Sequence, residues 1–346
     1  MAKRIVAIYD RGIDKNLMQG FDVLEKYGYE LTLVEKTVNE DELAYQNSML
    51  SVEVNGPDGT PINEEVFQYL DDAEIIITHF APVSRRMIEA AKNLKIIATL
   101  RTGMENINME AAKERGIKVI NAPGRACVAV ADFTVAAMLC EIRNIARTDE
   151  DIKTGGWTKK YPNRTYSDNM CNLKVGLVGF GDIGRKIATR LKGFGTTILA
   201  YDPYCTKESI EAFGCVPVSL DELLEQADFV SLHVRLSPQT QNMFGAAEFA
   251  KMKPTAIFVN AARAGLVDEA AMIDALEQKK IGGAVLDVFR EEPLPVDHPL
   301  RKLKNVTLSA HLAGTDIGTF SGSIKIVADN LEQYFSGGEL KNVVNH

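Results

Sequence analysis

Polar side chains follow several of the short apolar strands that the sequence predicts in the second half of the chain. Arg263, Asp287, Glu292 and His311 each lie at or just past the carboxyl end of such a strand. In open α/β sheets this edge is where ligands bind. A histidine there can pass a proton to or from a substrate oxygen, and a glutamate can hold its other ring nitrogen. An arginine can bind a carboxylate or polarise a carbonyl.

Each of these residues also has an ordinary structural explanation. Taken alone, His311 could be a structural histidine and Arg263 could be a surface cation. Glu292 lies in a run of charged residues of the kind usually found in solvent-exposed loops. Their common placement at predicted strand ends favours the functional interpretation. A cofactor motif upstream strengthens it.

That motif is the spacing G-x-G-x-x-G formed by Gly179, Gly181 and Gly184. A short apolar strand at 175–178 leads into it, and a helix with an apolar stripe follows. The first glycine permits a tight turn, the second lets the backbone reach a pyrophosphate, and the third lets the helix pack close to the strand. The stripe comprises Ile187, Ala188, Leu191 and Phe194.

A second predicted strand, at 197–200, is followed by Asp202, which lies 18 residues after Gly184. An acid at this distance accepts hydrogen bonds from the hydroxyls of an adenosine ribose. A carboxylate there repels a 2′-phosphate, and the next residues, Pro203 and Tyr204, provide no arginine for one. The sequence therefore predicts NAD rather than NADP as the cofactor.

The elements around these motifs predict a parallel α/β fold. The first 125 residues alternate apolar runs with amphipathic stretches, and the alternation resumes after Asp202. A capping box at Ser219 to Glu222 and a cap at Asp268 begin two of the later helices, the second running to Lys280. Predicted strands lie at 4–9, 30–34, 74–78, 95–100, 118–120, 229–234, 256–259, 283–287 and 306–309, and predicted helices at 64–71, 108–115 and 321–335.

One predicted helix, at 128–147, is apolar on nearly every face until its end. Such a helix must be covered all round, either in the interior or at a subunit interface. We favour the interface, because the helix stands just before a change of domain.

Bulk composition restricts the possible partners. With 346 residues the chain is long enough for about two domains, and its formal charge of −8 argues against nucleic acid and anionic membranes. No apolar run in the sequence approaches the length of a membrane span, and the first residues, MAKRIVAIYD, lack the long apolar region and the small-residue cleavage site expected of a secretory leader. Five scattered cysteines without a C-x-x-C spacing fit a reduced cytoplasmic protein and no metal site.

Four sequence blocks together resemble the D-isomer-specific 2-hydroxyacid dehydrogenases over nearly the whole chain. They are GLVGFGDIGR with Asp202, NAARAGLVDEAAMIDAL, GGAVLDVFREEPLP and LSAHLAG. The resemblance implies that Arg263 binds and polarises the substrate, that Glu292 pairs with the histidine and that His311 is the acid/base. It also implies that Asp287 contacts the nicotinamide end of NAD.

The resemblance assigns further residues. The segment LRTGMENIN is similar to the family's substrate-carboxylate loop, which places Arg101, Thr102 and Gly103 at the substrate. The helix at 128–147 is similar to the family's dimer helix, which implies a homodimer. The implied cofactor-binding residues are Gly179, Gly181, Asp182, Ile183, Gly184, Asp202, His233, Val234, Asn260, Ala261, Ala262 and Asp287.

The implied fold has two doubly wound parallel-sheet domains. A Rossmann NAD-binding domain, 124–314, is inserted into a flavodoxin-like substrate domain made of 1–123 and 315–346. The chain would cross the interdomain cleft twice, near Pro123 and Gly314, which suits a hinge that closes to exclude water.

Several residues depart from the family's pattern and leave the substrate open. Ala310 and Arg235 stand where many members have proline, Glu105 lies in the carboxylate loop, and Arg125 is close to a domain crossing. Admissible substrates are 3-phosphoglycerate, glycerate or hydroxypyruvate, and a longer sugar acid. A regulatory NAD(H)-binding protein related to corepressors is the alternative function. A formate-type dehydrogenase is disfavoured, since that enzyme usually pairs its histidine with glutamine rather than with Glu292.

Overall fold

The computed structural model describes residues 3–36, 51–52 and 55–345. They form two compact units, one of residues 1–125 with 316–346 (unit 1) and one of residues 126–315 (unit 2). Each unit is built on one sheet, and every pairing between the strands named below is parallel. This confirms the predicted class of two parallel α/β domains.

Unit 1 has a five-stranded sheet of order β2-β1-β3-β4-β5, which is the flavodoxin-like order. Three of its strands, at 3–9, 73–78 and 96–99, are runs rich in branched apolar residues that are buried on both faces along most of their length, as parallel strands covered by helices must be. The strands are β1 Lys3–Tyr9, β2 Tyr29–Glu35, β3 Ala73–Thr78, β4 Ile96–Thr99 and β5 Lys118–Ile120.

Short helices connect these strands, and the C-terminal helix α11 (Ile317–Phe335) packs on one face of the same sheet. Asp316 caps α11, so this helix begins four residues before the predicted start at Ser321. The helix predicted at 64–71 is a 3-10 helix, Glu64–Tyr69. The other helices of unit 1 are α1 Lys15–Met18, α2 Arg85–Ala90, α3 Met109–Glu114 and a 3-10 helix at Gln19–Tyr27.

Unit 2 has a seven-stranded sheet of order β12-β11-β10-β9-β6-β7-β8. Its first six strands in chain order follow the dinucleotide-binding pattern, in which the order of connection reverses between β6 and β9. The strands are β6 Lys174–Val178, β7 Thr197–Tyr201, β8 Val216–Pro217, β9 Phe229–Leu232, β10 Ile257–Asn260, β11 Gly283–Leu286 and β12 Val306–Leu308.

The helices of unit 2 cover both faces of this sheet. The predicted capping box is present, with Ser219 and Glu222 bonded reciprocally at the start of α8. The α-helices are α4 Cys127–Ile142, α5 Ile145–Lys153, α6 Asp182–Lys192, α7 Lys207–Glu211, α8 Leu220–Gln226, α9 Ala246–Lys251 and α10 Glu269–Glu277. The 3-10 helices are Met170–Asn172, Ala264–Leu266 and Pro299–Lys302.

The prediction of one continuous helix at 128–147 was wrong. The helix α4 ends at Ile142, and Asn144 takes a left-handed φ of 56° before α5 begins. Asparagine tolerates this conformation better than most residues. Its side-chain amide is held by the Asn163 oxygen at 2.7 Å, which fixes the break.

Smaller differences occur at element ends. Phe194 lies beyond the end of α6 and is 42% exposed, so it does not belong to the apolar stripe. The helix α10 ends at Glu277 rather than Lys280, because Lys279 takes a left-handed φ of 55°. Among the residues that the structure describes, no helix has the length and apolar character needed to span a bilayer.

Candidate active site

The glycine loop between β6 and α6 has the geometry that phosphate binding requires. Gly179 has a φ of +99°, and a Cβ there would lie 2.6 Å from the carbonyl oxygen of His233. A Cβ on Gly184 would collide with the carbonyl oxygen of Gly179. At Gly181 no described heavy atom lies within 4 Å of the corresponding position. The loop therefore leaves open space at the start of α6, where helix N–H groups favour an anion.

Asp202, at the end of β7, is tied to this loop. Its carboxylate accepts hydrogen bonds from the backbone N–H of Phe180 at 2.7 Å and of Tyr204 at 2.8 Å. Each carboxylate oxygen can accept a further bond. The acid expected at the adenosine ribose therefore lies directly beside the glycine loop.

The turn after β10 is shaped by Asn260. Its side chain accepts from Ala262 N–H at 3.0 Å and donates to the carbonyl oxygen of Arg263 at 3.0 Å. Ala261 lies inside this turn, so the three cofactor residues predicted here belong to one rigid loop. The turn also sets where Arg263 leaves the sheet.

The segment after β9 lines the same edge. Burial lowers the pKa of His233 to about 3, so its ring is neutral at neutral pH. The ring bonds the Ser231 hydroxyl at 2.8 Å, and Val234 packs near Gly179. A neutral, partly buried surface of this kind suits an uncharged part of a dinucleotide.

His311 and Glu292 form a close pair. Nδ1 of His311 lies 2.8 Å from Oε2 of Glu292, and the other carboxylate oxygen accepts from Phe289 N–H at 2.9 Å. The side chains are 50% and 33% exposed. Because Nδ1 donates to the carboxylate, Nε2 is the nitrogen that can exchange a proton with a substrate.

The loop that carries His311 is anchored by Asp287, whose side chain is 1% exposed. One oxygen of Asp287 accepts from the Ser309 hydroxyl at 2.6 Å and Leu312 N–H at 2.9 Å, and the other from Ala313 N–H at 2.8 Å. His311 itself has a left-handed φ of 54°. This conformation is unfavourable for a residue with a Cβ, so the three bonds stabilise a turn that would otherwise open.

Arg263 lies at the same sheet edge in an exposed position, and its guanidinium donates to the carbonyl oxygen of Ala262 at 2.7 Å. Within the described parts of the chain it has no hydrogen bond or ion pair with His311 or Glu292. The structure therefore brings the histidine and the glutamate together, while the predicted role of Arg263 at the substrate stays a prediction.

The predicted carboxylate loop belongs to unit 1 and follows β4. Asn121 donates to the carbonyl oxygen of Thr102 at 2.7 Å, which pins the loop to the segment after β5. The guanidinium of Arg101 stacks 4.0 Å from the centre of the Phe80 ring. The carboxylate of Glu105 lies so close over Gly103 that a Cβ there would collide with it.

Unit 1 contains a buried pair of polar residues that was not predicted from the sequence. Asp10, directly after β1, holds Nδ1 of His79, directly after β3, at 3.1 Å, and Nε2 of His79 lies 3.5 Å from Arg125. Burial lowers the pKa of His79, against the opposing effect of Asp10. Burial alone would raise the pKa of Asp10, but His79 and the N–H groups of Ile13 and Phe80 lower it to about 2. The rule that selected His311, a polar residue at a strand's carboxyl end, would also have selected these two.

Comparison with known proteins decides the family. Residues 135–313 match the model described as D-isomer specific 2-hydroxyacid dehydrogenase, NAD binding domain. The chain is a member of this family. The matched range contains the glycine loop, Asp202, Arg263, Glu292 and His311.

Relatives of this chain carry names that specify different substrates. It is 39% identical over 284 residues to D-3-phosphoglycerate dehydrogenase of Methanocaldococcus jannaschii, covering 82% of this chain and 53% of the relative. It is 37% identical over 287 residues to glyoxylate reductase of Korarchaeum cryptofilum, covering 82% and 86%. The chain thus spans about half the length of the first of these relatives.

Solved structures share the fold of this chain. The TT0316 protein of Thermus thermophilus has a TM-score of 0.74 at 29% identity, covering 98% of this chain and 99% of that one. A D-isomer specific 2-hydroxyacid dehydrogenase of Lactobacillus delbrueckii ssp. bulgaricus, in its NAD complexed form, has a TM-score of 0.77 at 24% identity, covering 99% and 100%.

Proposed function

We propose that the protein is an NAD-dependent oxidoreductase that interconverts a D-2-hydroxy acid and its 2-oxo acid. The observation that carries the proposal is the 2.8 Å pair of His311 and Glu292 at the carboxyl edge of a sheet whose central turn is a glycine loop. This edge is where the ligands of such sheets bind. Family membership supports the reaction class.

The residues of the loop fit NAD. The open position at Gly181 and the N-terminus of α6 accommodate a pyrophosphate, and Asp202 suits two ribose hydroxyls. When bound, the reduced cofactor supplies the hydride that adds to C2 of the 2-oxo acid. The glycine loop and Asp202 bind the cofactor and fix its orientation.

His311 supplies the proton in this proposal. In reduction its protonated Nε2 donates to the carbonyl oxygen, so that oxo acid, NADH and one proton give hydroxy acid and NAD⁺. In oxidation the neutral ring accepts the hydroxyl proton. Glu292 keeps Nδ1 bonded and so orients the ring throughout. Arg263 binds the substrate and polarises its carbonyl, and the loop Arg101–Gly103 binds the substrate carboxylate.

A panel of 2-oxo acids tests the proposal. NADH absorbance should fall with at least one of them, and the product should have the D configuration. Tight NADH binding without turnover of any 2-oxo acid would instead support the regulatory alternative. Turnover of formate alone would support a formate-type enzyme.

The proposal also includes a homodimer formed through α4. The inner face of this helix is buried, while Val128 and Ala136 are exposed and Phe133 and Cys140 are partly exposed. A second copy packed on this face would cover these apolar side chains. Light scattering should give twice the chain's mass, and Ala136→Arg should shift the mass towards that of one chain.

A further inference from the structure

Two charged side chains of unit 2, Asp182 and Arg235, lie at the place where the strand order of the sheet reverses. The reversal falls between the neighbouring strands β6 and β9. In sheets of this type a dinucleotide binds in the crevice between the two segments that follow such strands. Asp182 begins α6 on the β6 side, and the segment 233–236 follows β9 on the other side.

The segment after β9 contacts the loops on both sides of it. The carbonyl oxygen of His233 lies 2.6 Å from the position that a Cβ would take on Gly179, the first glycine of the loop. A side-chain carbon of Leu236 lies 2.7 Å from the corresponding position on Gly265, in the 3-10 helix that follows β10. Arg235 therefore lies between the glycine loop and the segment after β10.

The backbone of Arg235 is fixed, while its side chain is exposed and free to bind. The Thr240 hydroxyl donates to the carbonyl oxygen of Arg235 at 2.6 Å, and the Ser237 N–H donates to the same Thr240 oxygen at 2.8 Å. The guanidinium of Arg235 has no hydrogen bond or ion pair with any residue that the structure describes. Its planar set of five N–H donors matches a phosphate group.

Asp182 places the opposite charge on the other side of the crevice. It is the first residue of α6, it is exposed, and within the described ranges its carboxylate has no hydrogen bond or ion pair. The N-terminus of a helix carries about half a positive charge, which attracts an anion. The carboxylate of Asp182 offsets this charge, so it stabilises α6 and repels a pyrophosphate.

Other charged residues of the glycine loop have structural contacts. Arg185 donates from Nε to the carbonyl oxygen of Phe180 at 3.1 Å, and the carboxylate of Asp202 accepts from the N–H of Phe180 at 2.7 Å. Both charges therefore help to hold the loop in its conformation. Asp182 and Arg235 make no contact of this kind, so the fold does not account for their charges.

We propose that Arg235 binds the pyrophosphate of the cofactor from the β9 side of the crevice and that Asp182 weakens this binding. The two charges together then set the affinity for NAD(H) and its dependence on ionic strength. This inference rests on the cofactor site of the proposed function and adds Arg235 to that site. The guanidinium forms a charge-assisted hydrogen bond to a phosphate oxygen, while the carboxylate on α6 repels the same group.

Calorimetric titration with ADP-ribose and with adenosine tests the proposal without turnover, because only ADP-ribose carries the pyrophosphate. Arg235→Gln should raise the Kd of ADP-ribose roughly 5- to 30-fold, between the effect of an exposed ion pair and that of a charge-assisted hydrogen bond. Asp182→Asn should lower this Kd roughly 2- to 5-fold, the effect of an exposed charge. Neither variant should change the Kd of adenosine.

The dependence of the Kd of ADP-ribose on salt separates a charge effect from a structural one. The Debye length falls from about 30 Å at 0.01 M salt to about 3 Å at 1 M, so salt weakens both attraction and repulsion. Arg235→Gln removes an attraction, so its Kd should rise less with salt than the native value. Asp182→Asn removes a repulsion, so its Kd should rise more. Loss of a merely structural contact would not shift the two salt dependences in opposite directions.

Two matched controls change the same charges at the amino edge of the unit 2 sheet. Lys302 precedes β12 and Glu277 ends α10, and both side chains are exposed. Lys302→Gln and Glu277→Gln should leave the Kd of ADP-ribose and its salt dependence at the native values. Equal effects of the control and crevice variants would show that only the net charge of the chain matters, and they would overturn the inference.

Three further results would also overturn it. One is a native Kd of ADP-ribose in Arg235→Gln with a native Tm, and another is an equal change in the Kd of adenosine. The third is a loss of affinity confined to NADPH, which would assign Arg235 to a 2′-phosphate instead. If adenosine binds too weakly to measure, the salt dependences decide.

A folding defect in Arg235→Gln leaves a second test, because Asp182→Asn retains Arg235 and must still show a steeper salt dependence than the native protein. A native salt dependence in Asp182→Asn would contradict the proposal. Failure of the native protein to bind ADP-ribose would reject the cofactor site and the proposed function with it. Native binding in both crevice variants, together with turnover of a 2-oxo acid, would reject this inference alone.

Discussion

Replacing Asp287 by asparagine should detach the loop that carries His311 without changing the shape of the side chain at position 287. Asp287 accepts three hydrogen bonds from the loop, with Ser309 and Leu312 on one oxygen and Ala313 on the other. The amide nitrogen of asparagine takes the place of one oxygen and cannot accept. If the amide nitrogen takes the position of the oxygen that accepts from Ala313, the N–H group of Ala313 faces another donor and loses its hydrogen bond.

The cost follows from the contacts. A lost hydrogen bond to a charged acceptor is worth about 1.5–3 kcal/mol, or roughly 10- to 150-fold in an equilibrium. The left-handed conformation of His311 favours opening of the loop by about 1–2 kcal/mol in both proteins, so the hydrogen bonds of residue 287 must outweigh it. The Asp287→Asn variant should therefore lose about 10- to 150-fold in kcat, through a lower population of the anchored loop.

Turnover and amide hydrogen exchange measure this effect together. The amide protons of Leu312 and Ala313 should exchange faster in the variant than in the native protein, by a factor that matches the variant's loss of kcat. Ser309→Ala is the matched control, because it removes a donor and leaves both backbone bonds to Asp287; its kcat should change by less than the asparagine variant's. Unchanged kcat and unchanged protection in Asp287→Asn would refute the anchoring argument. A change confined to the Kd of NADH would instead support the nicotinamide contact.

Three further perturbations test the buried pair of unit 1 and the glycine loop of unit 2. Burial lowers the pKa of His79, and His79 and the N–H groups of Ile13 and Phe80, acting against burial, lower the pKa of Asp10 to about 2. The protein should therefore lose stability as the pH falls, below about 6.5 through His79 and from about 4 towards 2 through Asp10; the denaturant midpoint should fall in both ranges, and Asp10→Asn should remove the fall in the lower range only. Asp202→Ala should lower the ratio of kcat/KM for NADH over NADPH, and an unchanged ratio would remove the acid from cofactor choice. Gly184→Ala should raise the Kd of NADH and lower the Tm, because its Cβ collides with Gly179; normal binding and Tm would contradict the close packing.

The sequence predicts the strands well because their physical signal is local. Buried parallel strands are short runs of branched apolar residues, and a polar residue at the end of such a run lies at the ligand-binding edge. That rule was enough to select Glu292 and His311, which the structure places 2.8 Å apart. Helix ends were less predictable, because Asn144 and Lys279 break helices by single backbone angles.

Contacts between distant segments could not be predicted in the same way. Asp287 bonds backbone N–H groups 25 and 26 residues later, and no side-chain pattern marks an N–H group. Asp10 and His79 are 69 residues apart, and they meet because β1 lies beside β3 in the sheet order. The strand order is a tertiary property, so the pairing becomes visible only in the folded chain.

The most direct test of the account is the pH dependence of both reaction directions in the native enzyme and in His311→Gln. The native enzyme should reduce a 2-oxo acid more slowly as the pH rises and oxidise the hydroxy acid faster, because the two directions use opposite forms of the imidazole. His311→Gln should lose roughly 10²- to 10⁴-fold in kcat and both slopes with it. Full activity with the native pH profile in His311→Gln would contradict the account.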